Sequence, residues 1–160
     1  MPAPTHTELP GRPDRTPAAQ EIDTSYLETL LGYNARRVSL KVIELFTHRM
    51  AGYGLSPVDF SILSLISHNP GITSRQICAA LNLLPPNLVG KINAMEKRKL
   101  LARLPHPDDG RALGLYLTDA GQHMMVQAEK TATELEQDAA SRLSRAEKKT
   151  LLKLLQKVYF

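Results

Sequence analysis

The chain has 160 residues, with 20 Lys plus Arg against 16 Asp plus Glu, 42% hydrophobic residues and a single cysteine, Cys78. That length allows one core and hardly two, the composition is globular, and one thiol excludes both a disulfide-stapled scaffold and a thiolate metal cluster. No apolar run approaches the roughly 20 residues that span a bilayer, and no hydrophobic signal segment opens the chain, so a cytoplasmic protein without a membrane partner is expected.

The net charge of +4 is unevenly placed: residues 85–111 hold six Lys or Arg against three Asp or Glu, whereas everything before them is neutral block by block. A basic stripe on a near-neutral body fits a polyanion partner, and on charge alone it fits a solvated helix face equally well.

Residues 1–20 contain five of the eleven prolines and almost no large apolar side chain, which predicts a disordered tail. From Asp23 to Met50, Leu27, Leu30, Leu31, Val38, Val42, Leu45 and Phe46 recur at three and four, predicting one helix about 42 Å long. Gly52 and Gly54 end it. Ser56, Pro57 and Asp59 then start a helix with its apolar face on Val58, Ile62, Leu65 and Ile66. Thr73 and Gln76 form a second capping box, opening a short helix through Ile77, Cys78 and Leu81. A third helix begins at Pro85 and Pro86 and turns Leu88, Ile92 and Met95 inward.

Two short helices and a third are the parts of a helix-turn-helix. Extended patterns at 102–105 and 112–117 flank Asp109-Gly110, a strong hairpin turn, and a hairpin in that place is a wing. Thr118 caps a further helix to about Ala140, and Ser144 with Glu147 caps the last one, which carries Leu151, Leu154, Leu155 and Val158.

Met95-Glu96-Lys97-Arg98-Lys99-Leu100-Leu101-Ala102-Arg103, then Asp109-Gly110-Arg111, then Leu117-Thr118-Asp119-Ala120-Gly121 together resemble the MarR family of bacterial transcriptional regulators over about residues 23–160. The resemblance implies a mainly α fold with a small β-hairpin. A single domain over 21–160 would hold a winged helix-turn-helix at 55–118 between dimerisation helices at 21–51 and 119–160. The implied function is that of a ligand-responsive regulator, expected to be a repressor, that binds a pseudopalindromic operator in double-stranded DNA as a homodimer. Relatives take aromatic carboxylates or phenolic compounds as effectors. Two positions depart from the family pattern. Lys99 stands where the family has a left-handed Gly, which predicts an altered start to the wing, and Val89-Gly90 replaces a Thr-Arg pair.

The outward side of the third helix carries Pro86, Gly90, Asn93 and Lys97, flanked by Asn87, Lys91, Ala94 and Arg98, and of these Asn87, Gly90 and Lys91 are expected in the major groove. Small residues allow close approach to a groove, Asn pairs with adenine, and Lys reaches guanine or phosphate. Gly90 within a helix costs stability and so implies a steric reason. Arg111 at the wing tip suits a minor groove, with Asp109 holding its guanidinium; a structural turn ion pair is the competing reading. Arg103 is expected to be structural or to contact phosphate. For the effector, Arg37, Phe46, His48 and Phe60 supply a bidentate cation and aromatic faces, with Arg37 as the preferred anchor or else a surface residue pairing with Glu44. Cys78 reads as a small core hydrophobe. The histidines lack ligand spacing, so no metal or cofactor is expected, and no catalytic constellation appears, so an enzyme is not expected. A winged helix that docks proteins without DNA is the rival reading.

Overall fold

A computed structural model describes residues 22–106 and 109–159, the side chains at 106 and 109–111 excepted. The tail expected at 1–20 lies outside the described residues. Those described divide into two units, one ending at Ala35 and the other beginning at Arg36.

The first unit holds α1 (Ser25–Glu28) and the start of α2 (Leu31–Arg49). Periodicity predicts one unbroken helix here, and the structure interrupts it at Thr29 and Leu30. The reason is competition from side chains for helical carbonyls. Thr29 Oγ1 donates to the Tyr26 carbonyl at 2.7 Å, and the Leu30 amide closes a tight turn onto Leu27. Asn34 Nδ2 donates to the carbonyls of Glu28 and Leu30, both at 2.8 Å. Such local bonds satisfy the groups that a continuous helix would have used.

In the second unit α2 ends in a 3-10 turn at Ala51–Tyr53, closed by Gly54 at φ 60°. The next helices are α3 (Pro57–His68), α4 (Ser74–Leu81) and α5 (Pro85–Lys97). The capping boxes expected for α3 and α4 are present in both directions, Ser56 with Asp59 and Thr73 with Gln76. Ile62, Leu63 and Ile66 of α3, Ile77 of α4 and Leu88, Ile92 and Met95 of α5 meet in one buried core. Burial of this kind is the main stabilising term in so small a domain.

The hairpin is β2 (Leu101–His106) with β3 (Asp109–Leu117), paired antiparallel from Leu101↔Leu117 outward. A strand too short to be seen in the sequence, β1 (Ile72–Thr73), adds to the other edge of β3, giving the order β1-β3-β2. The chain entering β1 comes so close that a Cβ on Gly114 would lie 2.8 Å from the Gly71 carbonyl oxygen. Then follow α6 (Asp119–Ala139), capped by Thr118, and α7 (Arg145–Tyr159), whose first turn has the expected Ser144–Glu147 box. Arg49 of α2 forms an ion pair with Asp138 of α6. No helix among the described residues is long and apolar enough to cross a membrane.

The altered wing start expected from Lys99 is not observed. Lys99 takes the left-handed conformation itself, at φ 59°. Its amide donates to the Glu96 carbonyl at 2.8 Å, and the next amide, Leu100, donates to Met95 at 3.0 Å, the paired bonds of a Schellman end. Thr118 Oγ1 donates to the Lys99 carbonyl at 2.6 Å and holds the turn from the other side.

Candidate nucleic-acid interface and cavity

α5 lies with Leu88, Ile92 and Met95 buried, which leaves Pro86, Asn87 and Gly90 exposed as expected. Among the described residues a Cβ on Gly90 would meet nothing within 4 Å, so no packing between them requires glycine there. Its first turn has unusual chemistry for a helix start. Pro85 and Pro86 have no N–H, and the Asn87 amide is already given to the Leu84 carbonyl at 3.0 Å. The N-terminal donors that would ordinarily hold a phosphate are largely absent.

The cations around α5 are mostly engaged within the chain. Lys91 Nζ donates to Asp59 Oδ1 at 2.8 Å, and both side chains are more than half buried. Arg98 donates to the carbonyls of Gly54 and Tyr53 at 2.9 and 2.7 Å, tying the end of α5 to the 3-10 turn. Arg103 donates to Glu96 Oε2 at 2.8 Å and to Asn93 Oδ1 at 2.5 Å, which fits the structural role expected for it and staples β2 to α5. Lys97 and Lys99 remain exposed. Asp109 and Arg111 stand at the hairpin end of β3, and the ion pair expected between their side chains lies outside the described residues.

Asp59 also closes the cap of α3, accepting from Ser56 Oγ at 2.6 Å and from the Ser56 amide at 3.1 Å. Burial pushes its carboxyl up, but the hydrogen bonds from Lys91 and Ser56 and the Lys91 charge outweigh that, and it titrates below its ordinary value.

On the other side of α3 lies an open cavity of about 710 Å³. Pro57, Phe60, Ser61, Ser64 and His68 of α3 line it, with Val42 and Phe46 of α2, Glu129 and Ala132 of α6, and Lys148 and Leu152 of α7. Phe46 and Phe60 meet edge to face with centroids 5.7 Å apart. A polar cluster completes the wall: Ser64 Oγ donates to Glu129 Oε1 at 2.9 Å, and His68 Nε2 lies 3.0 Å from the same oxygen. Of the effector residues expected from the sequence, Phe46 and Phe60 line this cavity. Arg37 and His48 do not; both are exposed on α2, and Glu44 pairs with Lys41 at 3.2 Å. Ser64, His68, Glu129 and Lys148 were missed; Ser64 and His68 follow Phe60 at helical spacing, whereas Glu129 and Lys148 arrive from distant helices. Among the described residues no group of three or more His, Cys, Asp or Glu is placed to hold a metal ion.

The model of the MarR family matches residues 53–112 of this chain. The transcriptional repressor CouR, solved bound to a 23-mer DNA duplex, is 36% identical to it, with 88% of this chain and 100% of that one covered at a TM-score of 0.81. CouR solved bound to p-coumaroyl-CoA is 35% identical, with 86% and 97% covered at a TM-score of 0.76. The HTH-type transcriptional regulator PecS of Dickeya dadantii is 30% identical over 125 residues, 76% of this chain and 75% of that one.

Proposed function

We propose, because the chain belongs to the MarR family of transcriptional regulators, that it is a homodimeric DNA-binding repressor whose pseudopalindromic operator is released when a small aromatic acid, or its acyl thioester, occupies the cavity beside α3. The observation that carries this reading is that one helix serves both places. α3 lines the cavity with Pro57, Phe60 and Ser61, and between them Asp59 holds Lys91 of α5 at 2.8 Å. A ligand that moves the first turn of α3 therefore acts on the orientation of α5. To weaken operator binding tenfold it must favour the displaced arrangement by about 1.4 kcal/mol.

In this reading Pro86, Asn87 and Gly90 enter the major groove, and Lys91 and Arg103 orient α5 and the wing. Arg111, held by Asp109, reaches the adjacent minor groove. In the cavity, Phe46 and Phe60 face the ligand's ring and the Ser64–Glu129–His68 cluster meets a phenolic hydroxyl. CouR bound to DNA in one structure and to p-coumaroyl-CoA in another supports both halves.

The test selects duplexes from a randomised pool with the full-length chain, then titrates p-coumarate and p-coumaroyl-CoA into the complex. We expect selective binding, loss of the duplex on ligand addition, and loss of ligand binding in Phe60→Ala. Retention of no duplex would leave the winged helix as a protein-docking module, and retention of every duplex alike would overturn the specific operator. Binding of neither ligand at millimolar concentration, or binding without effect on the duplex, would overturn the effector reading.

A further inference from the structure

Resting on the DNA-binding reading, the composition of the exposed face of α5 narrows what that face can read. Base identity is ordinarily taken by Arg or Lys on guanine, by Asn or Gln on adenine, or by apolar contact with the thymine methyl. Lys91, the one cation in the first two turns of α5, is committed to Asp59, and Arg103 of β2 is committed to Asn93 and Glu96 farther along the helix. The first turn has lost backbone donors to Pro85 and Pro86, and the N-cap residue Leu84 makes no side-chain cap bond. What is presented instead is apolar. Leu84 is 69% exposed and Val89 52%, on a chain whose other α5 hydrophobics Leu88, Ile92 and Met95 are at most 2% exposed.

Gly90 follows Val89 directly, and the space beside it is empty. Glycine within a helix costs stability relative to Ala, and nothing among the described residues asks for it. Its effect is on an approaching surface: the helix backbone can come close to base edges at that point, which brings the short Val89 side chain into reach of them.

We propose that Val89 is a specificity-determining residue, reading the operator through the C5 methyl of a thymine in the major groove, with no Lys or Arg contact to guanine from the first two turns of α5. A branched apolar side chain has no hydrogen bond to offer and discriminates by burying that methyl. Asn87, whose side chain has no hydrogen-bond partner among the described residues, sits on the opposite flank and takes the neighbouring adenine.

The experiment uses the full-length chain and a duplex recovered by selection from a randomised pool. Each thymidine of the selected site is replaced in turn by deoxyuridine, which removes only the C5 methyl. One position per half-site should lose about three- to five-fold in affinity, the worth of one buried methyl group. Val89→Ala should bind the thymidine duplex weaker by the same factor and be indifferent to uracil at that position. Ala is the better helix former at an exposed site, and a thermal melt checks that the variant is folded. Uracil without cost at every position, or the full uracil penalty surviving in Val89→Ala, overturns the inference while leaving DNA binding intact. Recovery of no duplex at all overturns the DNA reading, and the inference with it.

Discussion

Lys99 occupies a backbone conformation that ordinarily goes to glycine, and its φ of 59° is imposed by bonds on both sides of it. A residue with a Cβ is strained in that region by about 1 kcal/mol, partly offset because glycine loses more chain entropy on folding. Lys99→Gly should therefore raise stability by a net of about 0.5 kcal/mol, read as a higher midpoint in urea at unchanged slope; a lower midpoint would show that the Lys side chain contributes more than its backbone costs. The Asp59–Lys91 pair, largely buried, should be coupled. In a cycle of Asp59→Ala, Lys91→Ala and the double variant, the interaction term should be about 1 kcal/mol, and additive effects would deny the pair any role. Because the folded carboxyl titrates below its ordinary 3.8, this stability is fully present above that value and is lost as pH falls through the lower folded value. Acid unfolding of Lys91→Ala should show a smaller part of that pH dependence, the Ser56 hydrogen bonds to Asp59 keeping the rest.

Among the elements, those with local causes were legible in the sequence. Ser56 with Asp59, Thr73 with Gln76 and Ser144 with Glu147 each carry both halves of a cap within four residues, and all three form. The hairpin was legible from the alternation at 112–117, but its turn was misplaced: Asp109 and Gly110 belong to β3, and Asp109 is already paired with His106 of β2. β1 was not legible: two residues have no periodicity, and their strand exists because Ile72 and Thr73 lie against Leu115 and Gly114, more than forty positions away. The break between α1 and α2 was hidden because apolar spacing continues through it while Thr29 and Asn34 capture the carbonyls. In the cavity the aromatic pair could be found from its helix, but Glu129 bonds partners 61 and 65 positions distant. The joint between wing and α6 is equally non-local. A Cβ on Gly121 would lie 2.0 Å from the Leu100 carbonyl oxygen, which also accepts the Thr118 amide at 3.1 Å. Gly121→Ala should cost about 1–3 kcal/mol by forcing α6 off the hairpin, seen as a lower melting temperature. An unchanged melt would mean that the helix start yields without loss.

At the scale of the whole molecule, the charge distribution and the apolar surface point to different partners. The basic stripe falls on α5 and the hairpin, but three of its six cations are held internally, so the cation count of residues 85–111 overstates what is free to meet a phosphate. The apolar excess lies elsewhere. In α7, Leu151, Leu152, Leu154 and Val158 are exposed large hydrophobic residues, a cluster of the kind that marks an interaction surface, and in the first unit Ile22, Leu30 and Leu31 are exposed as well. We infer that a second copy covers the exposed face of α7, since a two-fold pair buries the same face on both chains and sets two α5 helices at half-sites one DNA turn apart or a multiple of it. Leu151→Glu with Leu154→Glu should then yield a monomer in sedimentation equilibrium at micromolar concentration. Operator affinity should fall on the order of a hundredfold, because each half-site would be bound without its linked neighbour. A wild-type chain that sediments as a monomer, or a double variant that stays dimeric, would overturn this pairing. A dimer lost without loss of operator affinity would mean that one recognition helix suffices.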